Sequence, residues 1–202
     1  MQFHVQLIDD PARADRREKY REDHWAYFDE YADHFIARGA TLTDDLKHFI
    51  SSVLFVEFPG WDEVRAFVEA EPLNRNGVFR AVHIHRWMSG LKRRQRDFPG
   101  DRDQVCWYIR GYGGPNMHEQ RMELLQAHID YFAPYDVRNF IVRGPIMSDD
   151  GEEWHGSANL IALPSRQALE AFMAEEPYNV NGLYARLVYE RYRFGGRPGQ
   201  KV

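Results

Sequence analysis

Two histidines occupy equivalent places in the two halves of this 202-residue chain. They are His24, in the segment REDHW, and His128, in the segment LQAHI. Histidine is the side chain whose ordinary pKa, about 6.5, allows it to give and take a proton near neutral pH. A carboxylate beside the imidazole would fix its tautomer and raise its basicity, so these residues indicate a general base. The alternative is that each histidine is one member of an aromatic stripe packed at the boundary of helix and sheet.

Tyrosine and arginine side chains could assist such a base. Tyr27 and Tyr131 follow the two histidines by three residues and share their helical face. They could orient a substrate oxygen or donate a proton, although aromatic residues at this spacing are also typical of a core. Arg143 could bind a carboxylate or phenolate through two parallel hydrogen bonds. A surface ion pair is the alternative role for this arginine.

A second group of histidines suggests metal chemistry. In AVHIHRW, His83 and His85 alternate along a predicted strand and share one face, and His4 lies on a predicted neighbouring strand. Three imidazoles could hold a metal ion, or one could ligate haem. The second half has no histidine at the corresponding positions, which are Val188, Glu190 and Tyr108. Alternate histidines on a strand commonly line a surface or a barrel, so we predict no metal ion and no cofactor.

A long motif occurs twice, as EPLNRNGVF at 71–79 and as EPYNVNGLY at 176–184. The same offset of 105 residues also places SVLFVEFP (52–59) on SANLIALP (157–164). An offset of 104 residues superposes the two histidine segments, so one inserted residue between helix and strand reconciles the two offsets. The chain is therefore an internal duplication.

Each half has the same predicted order of elements: strand, helix, two strands, helix and strand. Aromatic residues recur at three- or four-residue steps from Tyr20 to Phe35 and predict one helical stripe. A short strand is predicted after Gly39 and after Gly144. A proline ends the second helix of each half and a glycine supplies the following turn. These residues are Pro72 and Gly77 in the first half, and Pro177 and Gly182 in the second.

This order predicts an α+β fold, with two ferredoxin-like βαββαβ repeats. Each repeat forms a four-stranded antiparallel sheet with both helices on one face. The two bare faces can cover one another, so the sheets pack together as an intramolecular α+β barrel. We assign the first repeat to residues 1–90, a polar, basic linker to 91–103, the second repeat to 104–195 and a tail to 196–202.

Composition excludes several classes of function. With 44% hydrophobic residues the chain can form a sizeable core, and a single cysteine, Cys106, cannot form an internal disulfide. The net charge of -5 lacks the basic footprint of a nucleic-acid-binding protein. No stretch approaches the roughly 20 apolar residues of a membrane span. We expect a cytoplasmic protein with a small-molecule partner, either a monomer containing the internal pseudo-dimer or a homodimer.

Each half resembles the YCII-related proteins. The resemblance rests on the histidine of the first helix, on the segment Arg143-Gly144-Pro145, and on an acidic-Pro turn that precedes Gly, an aliphatic and an aromatic residue. It implies the dimeric α+β barrel fold, here fused in tandem. It also implies a pocket between sheet and helix, in which the helix histidine pairs with the acid of an Asp-Pro turn.

By this matching, His24 goes with Glu71 and His128 goes with Glu176. The sequence departs from the family pattern because Glu, which is one methylene longer, replaces the Asp in both halves. The first half also has Ala40 where the second half has Pro145.

The combined hypothesis is a cofactor-independent lyase or isomerase acting on a small phenolic or carbonyl compound. Dehydrohalogenation, proton shift and cyclisation are the reactions in view. His128 is the predicted base and Glu176 orients it, while Tyr131 and Arg143 hold the oxygen that gains negative charge. A second site in the first half comprises His24, Glu71 and Tyr27.

Two other hypotheses stay open. A non-catalytic module could bind a small metabolite or another protein in the same barrel cavity. A metal or haem enzyme would instead use His4, His83 and His85. One fold hosts many sites, so the resemblance does not choose between these hypotheses.

Overall fold

The computed structural model describes residues 1–202 and has the predicted order of elements in both halves. The first half contains β1 (Gln2–Asp9), α1 (Ala14–Lys19), α2 (Arg21–Glu30), β2 (Phe35–Leu42), β3 (Phe49–Glu57), α3 (Trp61–Ala70), α4 (Pro72–Arg75) and β4 (Phe79–Trp87). The second half contains β5 (Cys106–Gly113), α5 (His118–Glu123), α6 (Leu125–Phe132), β6 (Phe140–Val142), β7 (Pro145–Met147), β8 (Trp154–Ala162), α7 (Arg166–Ala174), α8 (Pro177–Val180) and β9 (Tyr184–Phe194). None of these helices is both long enough and apolar enough to cross a membrane.

The strands close into one antiparallel barrel. Their order is β5-β9-β2-β3-β1-β4-β7-β8, and β8 pairs back with β5, while β6 pairs only with β8. One seam between the halves pairs β2 with β9, and the other pairs β4 with β7. The predicted α+β barrel is confirmed, and the two sheets join edge to edge at both seams.

The barrel has a packed interior and an outer layer of helices. Alternation along each strand sends one set of side chains inward, where Phe55, Trp87 and Tyr108 are fully buried. The other set meets the helices, where Val5 of β1 and Leu54 of β3 share one apolar cluster with Phe28 of α2 and Phe67 of α3. Burying an aromatic side chain of this kind stabilises the fold by about 2–3 kcal/mol.

Two predicted boundaries in the first half are wrong. The aromatic stripe predicts Phe35 as helical, but α2 ends at Glu30 and Phe35 begins β2. Its ring still packs on Phe28, at 4.9 Å between centroids, so the apolar contact survives in extended backbone. Gly39 lies inside β2 rather than before it, at the seam, where a Cβ would clash with the main-chain oxygen of Arg193.

In the second half the equivalent strand is interrupted. The residues Arg143 and Gly144 separate β6 from β7. Pro145 begins β7 and lacks an N–H for the ladder, whereas Ala40 leaves β2 continuous over eight residues. The difference between Ala40 and Pro145 therefore changes the strand.

The basic segment between the repeats is built into the fold. Arg94 donates to two main-chain carbonyls at the start of β2, and Arg93 donates to two beside β6. Gln95 is only 1% exposed and donates to the carbonyl of Arg38 at 3.0 Å. These arginines bind the linker to both halves, which accounts for its positive charge.

Candidate active site

The repeated motif forms a holder for a buried carboxylate. Pro72 takes the first position of α4, where its missing N–H costs no hydrogen bond. Glu71 precedes it as the N-cap and accepts the N–H groups of Leu73 and Asn74 at 3.0 and 2.8 Å. The turn ends at Gly77, whose φ of +66° explains the glycine.

The second copy repeats this geometry. Glu176 caps α8 and accepts the N–H groups of Tyr178 and Asn179 at 3.1 and 2.9 Å. Gly182 has a φ of +73° at the corresponding turn. The two glutamates are 1% and 0% exposed, so each negative charge is held almost entirely by protein donors.

Each glutamate contacts the histidine of the same half. The distance from Nδ1 to Oε1 is 2.6 Å in the pair His24–Glu71 and also 2.6 Å in the pair His128–Glu176. A carboxylate only accepts, so Nδ1 is the donor, and in the neutral imidazole Nε2 then keeps its lone pair. Neither Nε2 atom is hydrogen-bonded to the protein, and each imidazole is 12% exposed. The geometry in both halves is that of an oriented general base.

The two tyrosines connect helices. Tyr27 donates its hydroxyl proton to the carbonyl of Phe67 at 2.9 Å, and Tyr131 donates to that of Phe172 at 2.7 Å. Burial raises the pKa of Tyr131 to about 12 and raises that of Tyr27 as well. The structure therefore does not direct either hydroxyl toward the histidine of its half.

The two equivalent arginines, Arg38 within β2 and Arg143 just after β6, have different partners. Arg143 is engaged by Asp136 through two hydrogen bonds, from Nε at 2.6 Å and from Nη2 at 2.8 Å. Its counterpart Arg38 is 3% exposed and reaches Asp29 only at 3.3 Å, and its Nη1 has no partner. Burial lowers the pKa of Arg38. An uncommitted guanidinium donor is thus found in the first half.

The strand histidines do not converge on one point. The ring of His4 stacks on that of His85 with centroids 6.2 Å apart, and His85 stacks on His83 at 6.3 Å. His4 is fully buried, and its Nε2 shares a 2.9 Å hydrogen bond with the hydroxyl of Tyr108. No group of three potential metal-ligating side chains exists in the structure. This row of stacked imidazoles fits the alternative that alternate histidines on a strand line a barrel.

The same histidines predict acid sensitivity. Burial, followed by the charges of Arg110 and His83, lowers the pKa of His85 to about 4, and burial lowers that of His4. The unfolded chain therefore binds more protons between pH 6.5 and 4, so stability is complete above this window and is lost as the pH falls through it. After allowance for its partial exposure, we expect His85 to contribute a loss of about 2 kcal/mol between pH 7.5 and 4.5.

Urea unfolding of the wild type and of His85→Asn at both pH values isolates this loss. The carboxyl groups with raised pKa values, Asp9 and Glu190, titrate in both proteins and cancel in the difference. The variant should lose about 2 kcal/mol less than the wild type. Parallel pH profiles would contradict the prediction.

A large cavity lies beside the histidine of the first half. Its volume is about 780 Å³, within the range of small-molecule sites. His24 lines it, together with Arg38 and the aromatic side chains of Trp25, Phe28 and Phe49. Part of its wall comes from the other half, through Arg193 and the tail 195–201.

Aromatic side chains pack beside the histidine of the second half, although its imidazole is as exposed as that of His24. The ring of Tyr178 stacks on His128 with centroids 4.1 Å apart and planes at 1°. Trp154 packs edge-on against Tyr178 at 5.7 Å, and both are almost completely buried. The first half has Leu73 and Phe49 at these positions, and His128 lines none of the four main cavities. The histidine of the first-half pair therefore lines a cavity, and that of the second-half pair, predicted as the lead, does not line one of these four.

Two arginines of this cavity, Arg17 and Arg193, were missed in the sequence. Arg17 donates to both oxygens of Asp9, at 2.8 and 2.9 Å, and to Ser52 Oγ at 2.9 Å. Arg193 comes from β9 of the other half. A signal existed, because alignment of the two repeats places Met88 opposite Arg193 and Leu125 opposite Arg21. Cations present in only one copy indicate that the copies have diverged.

The closed barrel, with one histidine–glutamate pair in each half, defines an α+β barrel protein made of two fused ferredoxin-like repeats. The family model of the YCII-related domain matches residues 1–88 and again residues 105–193. The chain therefore belongs to the YCII-related domain family and contains two copies of the domain. No curated protein sequence matches the chain.

Several solved structures are similar to it. Chlorite dismutase from Candidatus Nitrospira defluvii, a mutant in complex with cyanide, has a TM-score of 0.60 at 9% identity and covers 95% of this chain and 90% of its own. A haem-binding protein from Thermus thermophilus has a TM-score of 0.54 at 14% identity and covers 95% and 90%. 5-Chloro-2-hydroxyhydroquinone dehydrochlorinase (TftG) from Burkholderia phenoliruptrix is 34% identical, covers 45% of this chain and 96% of its own, and has a TM-score of 0.42. The first two likenesses show the fold.

Proposed function

We propose that the chain is a cofactor-independent acid/base enzyme of lyase or isomerase type, with its working site in the first half. One observation carries this proposal. His24 is held at 2.6 Å by the buried Glu71 and lines the 780 Å³ cavity, so an oriented base faces space for a small molecule. The equivalent His128 has the same partner geometry but lies under the ring of Tyr178.

The chemistry is removal of a proton from a small phenolic or carbonyl compound. His24 Nε2 takes the proton, and the carboxylate of Glu71 stabilises the imidazolium that forms. The electron pair left on the substrate either expels a leaving group such as halide or is protonated at another carbon. Arg17 and Arg38 line the same cavity and can stabilise the oxygen on which negative charge develops. No oxidant or reductant is required for either outcome.

The second pair has a structural role in this proposal. Glu176 caps α8 and binds His128, and Tyr178 and Trp154 fill the neighbouring space. The residues of the alternative metal or haem site do not fit such a group. His4 is bonded to Tyr108 in the barrel interior, and none of the three strand histidines lines the cavity.

A paired-variant experiment tests the proposal. The wild type, His24→Gln and His128→Gln are incubated with a host metabolite extract, and the free and protein-bound fractions are compared by mass spectrometry. We expect one compound to be consumed by the wild type and by His128→Gln but not by His24→Gln. The product should have the mass of an isomer or the mass left after loss of a small acid.

Three results would overturn the proposed function. Consumption by His24→Gln at the wild-type rate would remove His24 from the mechanism. A compound that is bound but unchanged by the wild type would establish the binding module instead. A Soret band in the purified protein would contradict a cofactor-free site.

A further inference from the structure

The cavity beside His24 is cationic, although the chain as a whole is acidic. Its wall contains six arginines and one lysine but only two carboxylates, Glu18 and Asp103, whereas the net charge of the chain is -5. The cations are Arg17, Arg21, Arg38, Arg102, Arg193, Arg197 and Lys201. A concave wall that carries charge of one sign concentrates ligands of the opposite charge.

Several of these charges have no acidic partner. Arg17, Arg21, Arg38 and Arg197 are within 4 Å of a carboxylate. Arg193 and Lys201 are not paired with any Asp or Glu side chain, and the buried Nη1 of Arg38 is without a partner. The guanidinium groups of Arg193 and Arg17 lie over the same ring, that of Phe49, at 5.0 and 4.2 Å from its centroid. Asp9 pairs with Arg17, and no second carboxylate pairs with the neighbouring Arg193.

The cations alternate with aromatic rings. Trp25 is contacted by Arg21 and Arg197, at 5.0 and 5.7 Å from the ring centroid, and Arg102 lies 4.3 Å above Phe194. Guanidinium groups and flat rings offer both hydrogen-bond donors and stacking faces. A planar ligand with a negative group uses both features, while an aliphatic or neutral ligand uses only one.

We infer that the substrate of the first-half site is a small aromatic acid, whose carboxylate is bound by Arg193 and whose ring stacks within the aromatic wall. The inference rests on the proposed function for the identity of the site and adds the class of substrate. A volume of about 780 Å³ accommodates a compound of one or two rings. The second half lacks the acid-binding cation, because Met88 stands where the first cavity has Arg193.

Calorimetric titration with inert acids tests the inference without turnover. Benzoate and 2-hydroxybenzoate are titrated into the full chain, and benzamide serves as the neutral ligand of equal shape. A bidentate, charge-assisted contact predicts binding of the acids at least about 10-fold tighter than that of benzamide. Arg193→Met, which introduces the residue of the second half, should weaken the acids about 10-fold and leave benzamide unchanged.

The matched control is Arg186→Met. Arg186 lies on the same strand and stacks on Tyr112 at 4.0 Å, but it does not line the cavity, so its loss should leave the affinity unchanged. Equal binding of benzoate and benzamide, wild-type affinity in Arg193→Met, or no binding of either acid in the millimolar range would each overturn the inference. Acid binding in a protein that transforms no compound would refute the proposed function, and the aromatic acid would then be a ligand of the site rather than its substrate.

Discussion

Replacement of Glu71 by Gln is expected to lower kcat/KM about 1,000-fold and to lower the free energy of unfolding by about 2 kcal/mol. The carboxylate accepts three N–H groups, from His24 and from the main chain of Leu73 and Asn74. An amide has one oxygen and a donor in place of the second, so at least one buried N–H loses its acceptor. If His24 Nδ1 becomes the acceptor, Nε2 carries the proton and the base is lost.

The matched variant is Glu176→Gln. Glu176 accepts the equivalent three donors at distances that differ by no more than 0.1 Å from those of Glu71, namely 2.6, 3.1 and 2.9 Å. Its replacement should therefore cost the same stability, about 2 kcal/mol, with kcat/KM unchanged within a factor of two. Urea unfolding measures the first effect, and turnover of the compound identified in the extract measures the second.

The pair of variants separates a catalytic role from a capping role. If Glu71→Gln were destabilised yet fully active, Glu71 would be only a helix cap. If both variants lost activity equally, the loss would follow from stability or from two working sites, and the assignment to the first half would fail. The nitrogen chemical shifts of His24 report the tautomer directly and provide a readout that capping alone would not move.

The fold was predictable because its determinants are local and repeated. The motif at 71–77 contains an N-cap acid, a proline for the first helical position and a glycine with positive φ, and each residue acts within its own turn. Its second copy showed that two βαββαβ units with bare faces exist in one chain. The boundary at Phe35 was mispredicted because an aromatic residue can continue the same packing from a helix or from the strand that follows it.

The site was only partly predictable. The histidine–glutamate pairs followed from the family resemblance, and they form in both halves with equal geometry. The sequence could not show which of the two histidines faces a cavity. That depends on whether the side chain two residues after the glutamate stacks on the imidazole. Tyr178 does so, whereas Leu73 leaves His24 facing the cavity. Similarly, no local pattern places Arg193, which reaches the cavity only after the barrel closes.

The two copies of the domain thus contribute different parts of one cavity, the one beside His24. The second half contributes Arg193 and a tail in which Arg197 binds Asp29 and Gln200 donates to the same carboxylate at 3.0 Å. The first half contributes His24 and the aromatic wall. The duplication therefore does more than let the two sheets cover each other. It also completes the first-half cavity, because part of the cavity wall comes from the second half once the barrel closes.

Closure of the barrel at the seam between β4 and β7 also predicts the substitution with the largest effect on stability. Trp87→Ala should lower the free energy of unfolding by about 4 kcal/mol, since a fully buried ring is removed from the barrel interior. Trp87 ends β4, at the seam where only two residue pairs join β4 to β7. Its Nε1 donates to the carbonyls of Gly144 and Ala158 of the other half, at 3.1 and 3.2 Å, and its ring packs edge-on against Phe55.

Trp87→Phe separates ring burial from the hydrogen bonds across the seam. It retains an aromatic ring beside Phe55 but leaves the carbonyls of Gly144 and Ala158 without this donor, so a loss of about 2 kcal/mol is expected. Urea unfolding followed by circular dichroism measures both losses, and the wild type should unfold in one step because neither half closes its sheet alone. Two separate transitions in the wild type, or a loss below about 1 kcal/mol in Trp87→Ala, would show that the halves are stable without the seam and that the first-half cavity does not depend on it.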